Sequence, residues 1–115
     1  MHTNRQQQVR LTRWRGGQHP TLELMKRQLL DEGMRPFRWH QHANYRFGVR
    51  SHGFDKTLYC LEGSIEVVFP DLRQRHKLKS GDRIDIPKGT RHSITVGRYG
   101  ATCLEGTPAP ATTGV

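Results

Sequence analysis

Gly81-Asp82-Arg83-Ile84-Asp85-Ile86-Pro87-Lys88-Gly89-Thr90-Arg91-His92 is the stretch on which the fold of this chain turns. A turn glycine opens a short strand in which Ile84 and Ile86 alternate with Arg83 and Asp85. Pro87 cannot donate a ladder hydrogen bond, so the strand ends there. Gly89 supplies the positive φ that a second tight turn needs. His92 then enters the next strand at a place fixed by both turns.

Strand signals continue on both sides. Phe37, Trp39 and Gln41 alternate with Arg38, His40 and His42. Tyr45, Phe47 and Val49 alternate with Arg46, Gly48 and Arg50. Thr57 to Leu61 and Ser64 to Phe69 read as two strands joined by a hairpin turn at Glu62-Gly63. His76 to Leu78, Ser93 to Val96 and Ala101 to Leu104 add three more. Short strands separated by turn signals predict an all-β sandwich or barrel and exclude a parallel α/β sheet.

One helix is expected, over residues 21–32. Pro20 and Thr21 suit its first turn and cap. Leu22, Met25 and Leu29 make one apolar face, and Gly33 ends it as a left-handed cap. Residues 1–18 read as a basic, partly disordered lead-in with an edge strand around Val9 to Trp14. Residues 19–106 form the domain, and residues 107–115 read as a disordered tail.

The decisive stretch resembles the second motif of the cupin superfamily, G-x5-P-x-G-x2-H-x3-N. Gly81, Pro87, Gly89 and His92 match in spacing, and Val96 replaces the final asparagine. The first cupin motif, G-x5-H-x-H-x3,4-E-x6-G, aligns on Gly63. It then places Asn44 at the opening glycine, Arg50 and His52 at the two histidines and Lys56 at the glutamate. Small bacterial single-domain cupins are similar in the His19-Pro20-Thr21 helix start, the Asp55-Lys56 pair and the Thr102 to Glu105 ending. The resemblance implies a double-stranded β-helix, the jelly-roll cupin barrel, with one short N-terminal helix and a pocket inside.

In most cupins three histidines and a glutamate hold one divalent metal, for which Fe, Mn, Ni or Zn suit imidazole and carboxylate donors. Here only His52 and His92 remain of that set, so they are the implied metal ligands. Arg50 and Lys56 bring two positive charges to the same place, which disfavours a divalent cation. Asp55 is a third ligand only if its strand is irregular. The expected ligand pocket is therefore Arg50, His52, Lys56 and His92, suited to a carboxylate, phosphate or phenolate. A pair of nearby cations should keep both histidines neutral at pH 7. His40 and His42 are expected to face solvent, and Cys60 and Cys103 to behave as small buried hydrophobes.

Composition bounds the rest. With 115 residues and a charged fraction of 25%, the chain is one domain with one small core. No apolar stretch can span a bilayer, and no secretory leader is evident, so a cytoplasmic protein is expected. Two cysteines outside any CxxC exclude a zinc knuckle or disulfide scaffold. The formal charge of +9 is concentrated before residue 51, led by Arg5, Arg10, Arg13 and Arg15. Without interleaved aromatics these arginines favour a solvated leader over a nucleic-acid arm.

Three functions are compatible with this pattern. The favoured one is a small-molecule-binding cupin taking an anionic ligand. A metal-dependent cupin enzyme, a dioxygenase or isomerase, is the alternative. A nucleic-acid or protein interaction module using the basic N-terminus is the third. A homodimer is expected, because small barrels must protect their sheet edges.

Overall fold

The computed structural model describes residues 8–110. Elements follow in the order β1 (Arg10–Thr12), α1 (Leu22–Asp31), β2 (Met34–Gln41), β3 (Arg46–Arg50) and β4 (Lys56–Phe69). A 3-10 turn (Pro70–Leu72), β5 (Gln74–Lys79), β6 (Arg83–Ile86) and β7 (His92–Pro108) complete the chain. All strand pairings are antiparallel.

Two long strands, β4 and β7, are the spine. They pair with each other from Thr57↔Gly106 to Val68↔Ser93. On its other edge β4 pairs first with β6 and then with β5. β7 pairs with β3 near its start and with β2 near its end. The two halves of each spine strand thus belong to two layers. Leu58, Cys60, Ile84, Ile86 and Cys103 come from one layer, and Ile65, Val67, Phe69, Leu78 and Val96 from the other. They meet in one buried core. This is an all-β jelly roll, as the sequence predicts.

The expected hairpin at Glu62-Gly63 is not formed. β4 passes straight through, with register shifts between Cys60 and Glu62 and between Gly63 and Ile65. Gly63 has φ +77, and a Cβ there would stand 2.0 Å from the Gly100 carbonyl oxygen. A bulge, and not a turn, bends the spine, because β7 remains its partner on both sides. The separate strands expected at Ser93 to Val96 and Ala101 to Leu104 are likewise one strand.

Helix α1 packs on the outer face of the first layer. Thr21 caps it by accepting a hydrogen bond from the Leu24 N–H at 3.2 Å, and Gly33 follows with φ +79. Met25 and Leu29 bury against Tyr59 and Leu104. Each such side chain contributes about 1.5–3 kcal/mol. The cover explains why Lys56 to Cys60 are buried on both faces of the strand. At the far end of the helix Arg83 binds Glu32 through two hydrogen bonds, at 2.6 and 2.8 Å, and also reaches Tyr59 and Asp85.

The lead-in is docked from β1 onward. β1 pairs with β6, and Arg13 and Trp14 are tied to Asp82. Thr107 and Pro108, placed in the tail by sequence, pair with Arg35 and Met34, because β2 starts earlier than its alternating pattern. Arg5, His2 and the last five residues of the expected tail lie outside the described residues.

Candidate functional site

The turn that decides the fold also assembles the site. The Thr90 N–H donates to the Pro87 carbonyl at 3.2 Å, and Gly89 has φ +77. From this turn the Gly89 N–H donates to the His52 carbonyl at 2.7 Å, and the Lys88 N–H donates to Asp55 Oδ1 at 2.9 Å. The loop between β3 and β4 is therefore held against the start of β7. Arg50 ends β3 directly opposite His92 in register, and Lys56 begins β4. Asn44, standing where the first motif has glycine, has φ +65. Asparagine is one of the few residues that visit this left-handed region readily, so the turn survives the replacement.

Arg50, His52, Lys56 and His92 all line one cavity of about 390 Å³ inside the barrel mouth. Phe37, Trp39, Phe47 and Ile94 form its apolar walls, and Glu105 completes it. Trp39 and Phe47 meet edge to face with centroids 5.2 Å apart, and the Arg50 guanidinium lies over Phe47 at 5.5 Å. The His52 and His92 rings are 5.5 Å apart, and His52 stacks on Phe54 at 5.1 Å.

Glu105 was not among the expected pocket residues. Its Oε1 lies 3.4 Å from Lys56 Nζ and accepts a hydrogen bond from Trp39 Nε1 at 3.0 Å. The ammonium in the glutamate slot is thus partnered by a carboxylate delivered from β7. Two cations and one carboxylate leave the cavity positive by one. Arg50 is exposed and pairs with no carboxylate among the described residues. Trp39 is both cavity wall and hydrogen-bond donor. Glu105 stands two residues from Cys103 on β7 and so shares its inward face.

Both histidines are held below the usual imidazole range. For His52 burial is the largest cause, Lys56 and Arg50 add to it, and Glu105 opposes. For His92 burial again dominates, the Thr90 carbonyl opposes it, and Lys56 and Arg50 reinforce it. Both rings are therefore neutral at pH 7. His92 Nδ1 lies 2.8 Å from the Thr90 carbonyl oxygen. A carbonyl only accepts, so Nδ1 carries the proton and Nε2 is a bare acceptor. Nε2 of both His52 and His92 is buried with no hydrogen-bond partner among the described residues.

Other candidates lie elsewhere. Asp55 is engaged by the Lys88 backbone and does not line the cavity. His40 bonds Thr102 Oγ1 at 2.9 Å and His42 lies 2.9 Å from the Ala43 carbonyl, both away from the cavity. Cys60 and Cys103 are fully buried, facing each other across β4 and β7. Arg13 is bound to Asp82 at 2.8 Å and to the Lys77 carbonyl at 2.6 Å, which engages one of the leader arginines within the fold. A larger groove of about 840 Å³ runs beside the Lys88–Arg91 turn but gathers no histidine or cysteine.

The donor set does not fit a tightly held divalent metal. Two imidazoles are present, but the only carboxylate that the described residues bring to the cavity is already paired with an ammonium. No group of three or more His, Cys, Asp or Glu among the described residues is arranged to hold an ion. A metal here would also face Arg50 and Lys56.

No protein-family profile matches the chain, and no curated protein matches it either. Solved structures do. A cupin-2 domain protein from Shewanella frigidimarina is 20% identical over 67% of this chain and 72% of that one, with a TM-score of 0.57. An RmlC-like cupin from the same organism is 19% identical over 67% and 68%, with a TM-score of 0.58. The polyketide cyclase RemF from Streptomyces resistomycificus is 24% identical over 67% of this chain and 55% of its own, with a TM-score of 0.61.

Proposed function

From the cupin fold of this chain, we propose that the protein binds a small organic anion in the barrel cavity through its own side chains. The observation that supports this most is the state of Arg50. It stands at the cavity mouth without a carboxylate partner among the described residues, whereas Lys56 is held by Glu105. A guanidinium offers a planar fork of donors that matches a carboxylate or phosphate. Phe47 beneath it supplies a fixed floor.

Calorimetric titration with benzoate and with phenyl phosphate tests the proposal. Saturable one-to-one binding is expected, and Arg50→Gln should weaken it about tenfold, the worth of one charge-assisted pair. Absence of saturable binding by both probes at low-millimolar concentration would overturn it.

The unpartnered Nε2 atoms of His52 and His92 favour a second reading, a metal-dependent enzyme. Stoichiometric nickel, iron or zinc in protein purified without chelator would support that reading and count against the first.

A further inference from the structure

We infer that the ligand of this cavity is a single-ring hydroxyaryl carboxylate, bound with its acid group at Arg50 and its hydroxyl between His52 and His92. The inference rests on the anion-binding reading and adds the ligand's other end. It starts from the two unpartnered nitrogens. His92 is 1% exposed, and its Nδ1 is committed to the Thr90 carbonyl. Its Nε2 can therefore only accept in the neutral ring. His52 presents a second buried Nε2 to the same cavity, and no bond of its ring to another residue fixes which nitrogen carries its proton. A hydroxyl both donates and accepts, so one hydroxyl can satisfy His92 as acceptor and His52 as donor. A buried polar atom left without a partner costs about 1–3 kcal/mol, which is the gain open to a ligand that supplies one.

Charge sets the orientation. Glu105 stands inside with Lys56 at 3.4 Å, so an acid group placed there would meet a carboxylate already holding that ammonium. Arg50 is exposed and His92 is buried. The acid group therefore stays at the mouth and the hydroxyl points inward.

The walls and the volume set the framework between the two ends. Trp39 and Phe47 offer aromatic surfaces, and Phe37 at the mouth is 60% exposed. Flat rings stack and meet edge to face on such walls. A cavity of about 390 Å³ lies near the lower end of small-molecule pockets, roughly 300–1,000 Å³. It suits one ring.

The test compares benzoate, the three hydroxybenzoate isomers and their methoxy counterparts by calorimetry on the unaltered protein, with EDTA present. At least one hydroxybenzoate should bind about tenfold more tightly than benzoate and than its own methoxy ether. In His92→Leu, which stays close to histidine in volume and lies near Phe69, that advantage should vanish while benzoate still binds. Equal affinity for benzoate and every hydroxybenzoate in the unaltered protein would overturn the inference and leave the anion site standing. Failure of every carboxylate would overturn the anion site itself. A hydroxyl preference that arises only on adding nickel or iron would also overturn it, by assigning the nitrogens to a metal.

Discussion

Lys56 and Glu105 form the one ion pair inside the described barrel mouth, 3.4 Å apart, with side chains 10% and 19% exposed. The pair joins the first residue of β4 to the far half of β7 and receives Trp39 as a third member. A charge that would be costly alone is thereby carried into the cavity wall.

Glu105→Gln removes the carboxylate and leaves a nearly buried ammonium. Stability should fall by about 1–3 kcal/mol in urea denaturation. The freed Lys56 should tighten benzoate about three- to tenfold, which corresponds to about 0.7–1.4 kcal/mol. Replacing both partners, as Lys56→Met with Glu105→Leu, should recover most of the lost stability. A single variant as stable as the parent would show that the pair contributes nothing to folding.

Asp82 is a latch between the lead-in and the barrel. It is 5% exposed and accepts hydrogen bonds from the Lys79 and Trp14 N–H groups, both at 2.9 Å, and from Arg13 at 2.8 Å. Burial alone would raise its pKa, but these donors outweigh burial and hold it below the ordinary aspartate value. A depressed folded pKa means that the stabilisation is complete above the unfolded value, about 4, and is lost as pH falls through the folded one. The parent should therefore lose stability below about pH 4, and Asp82→Asn should lose less over the same range while starting lower at pH 7. Trp14 fluorescence reports release of the lead-in. Parallel acid profiles for the two proteins would rule the latch out.

Legibility from sequence divides along a physical line. Features set by neighbouring residues were readable: the Thr21 cap, the Gly33 stop, and the Pro87-Lys88-Gly89 turn that delivers His92. The convergence of Arg50, His52, Lys56 and His92 was readable only through the resemblance of spacing to a known motif. Glu105 was missed because its neighbours depend on the β4–β7 register, which at this end of the ladder pairs residues more than forty positions apart, such as Leu58↔Glu105. The Glu62-Gly63 hairpin was misread for the same reason. Locally Glu-Gly signals a turn, but β7 holds both flanking segments in one ladder. The role of Gly81 was half visible. Its φ of +95 fits the motif, yet the Trp14 ring also lies where a Cβ would come, 2.4 Å away.

Two glycines with the same φ give a direct comparison. Gly63 and Gly89 both have φ +77, but only Gly63 faces backbone, with the Gly100 oxygen 2.0 Å from a built Cβ and nothing within 4 Å at Gly89. Gly89→Ala should cost only the left-handed strain, about 1–2 kcal/mol. Gly63→Ala should cost at least about 3 kcal/mol or prevent folding, because strain and overlap add. Equal melting temperatures for the two variants would mean that the spine does not bend at Gly63 as described.

The thiols make the last prediction. Cys60 donates its N–H to the Asp82 carbonyl at 3.0 Å and accepts at its own carbonyl from the Gly81 N–H at 2.7 Å. Both backbone groups point away from β7, so Cys60 and Cys103 form a non-hydrogen-bonded cross-strand pair. In such pairs the Cα atoms approach to about 4.5 Å and the side chains are close. The Cys60 sulfur, as acceptor for the Cys103 S–H, and then burial push the Cys103 thiol above its ordinary pKa. Thiolate is the reactive form, and both side chains are 0% exposed. The folded protein at pH 8 should therefore leave both thiols unreacted with an aromatic disulfide reagent over many minutes. In denaturant both cysteines of the chain should react at once. The slow native rate should rise with sub-denaturing urea, because only opening of the β4–β7 ladder exposes the sulfurs. Immediate reaction of either thiol in the folded protein would mean that the two sulfurs do not lie in the closed core between the layers.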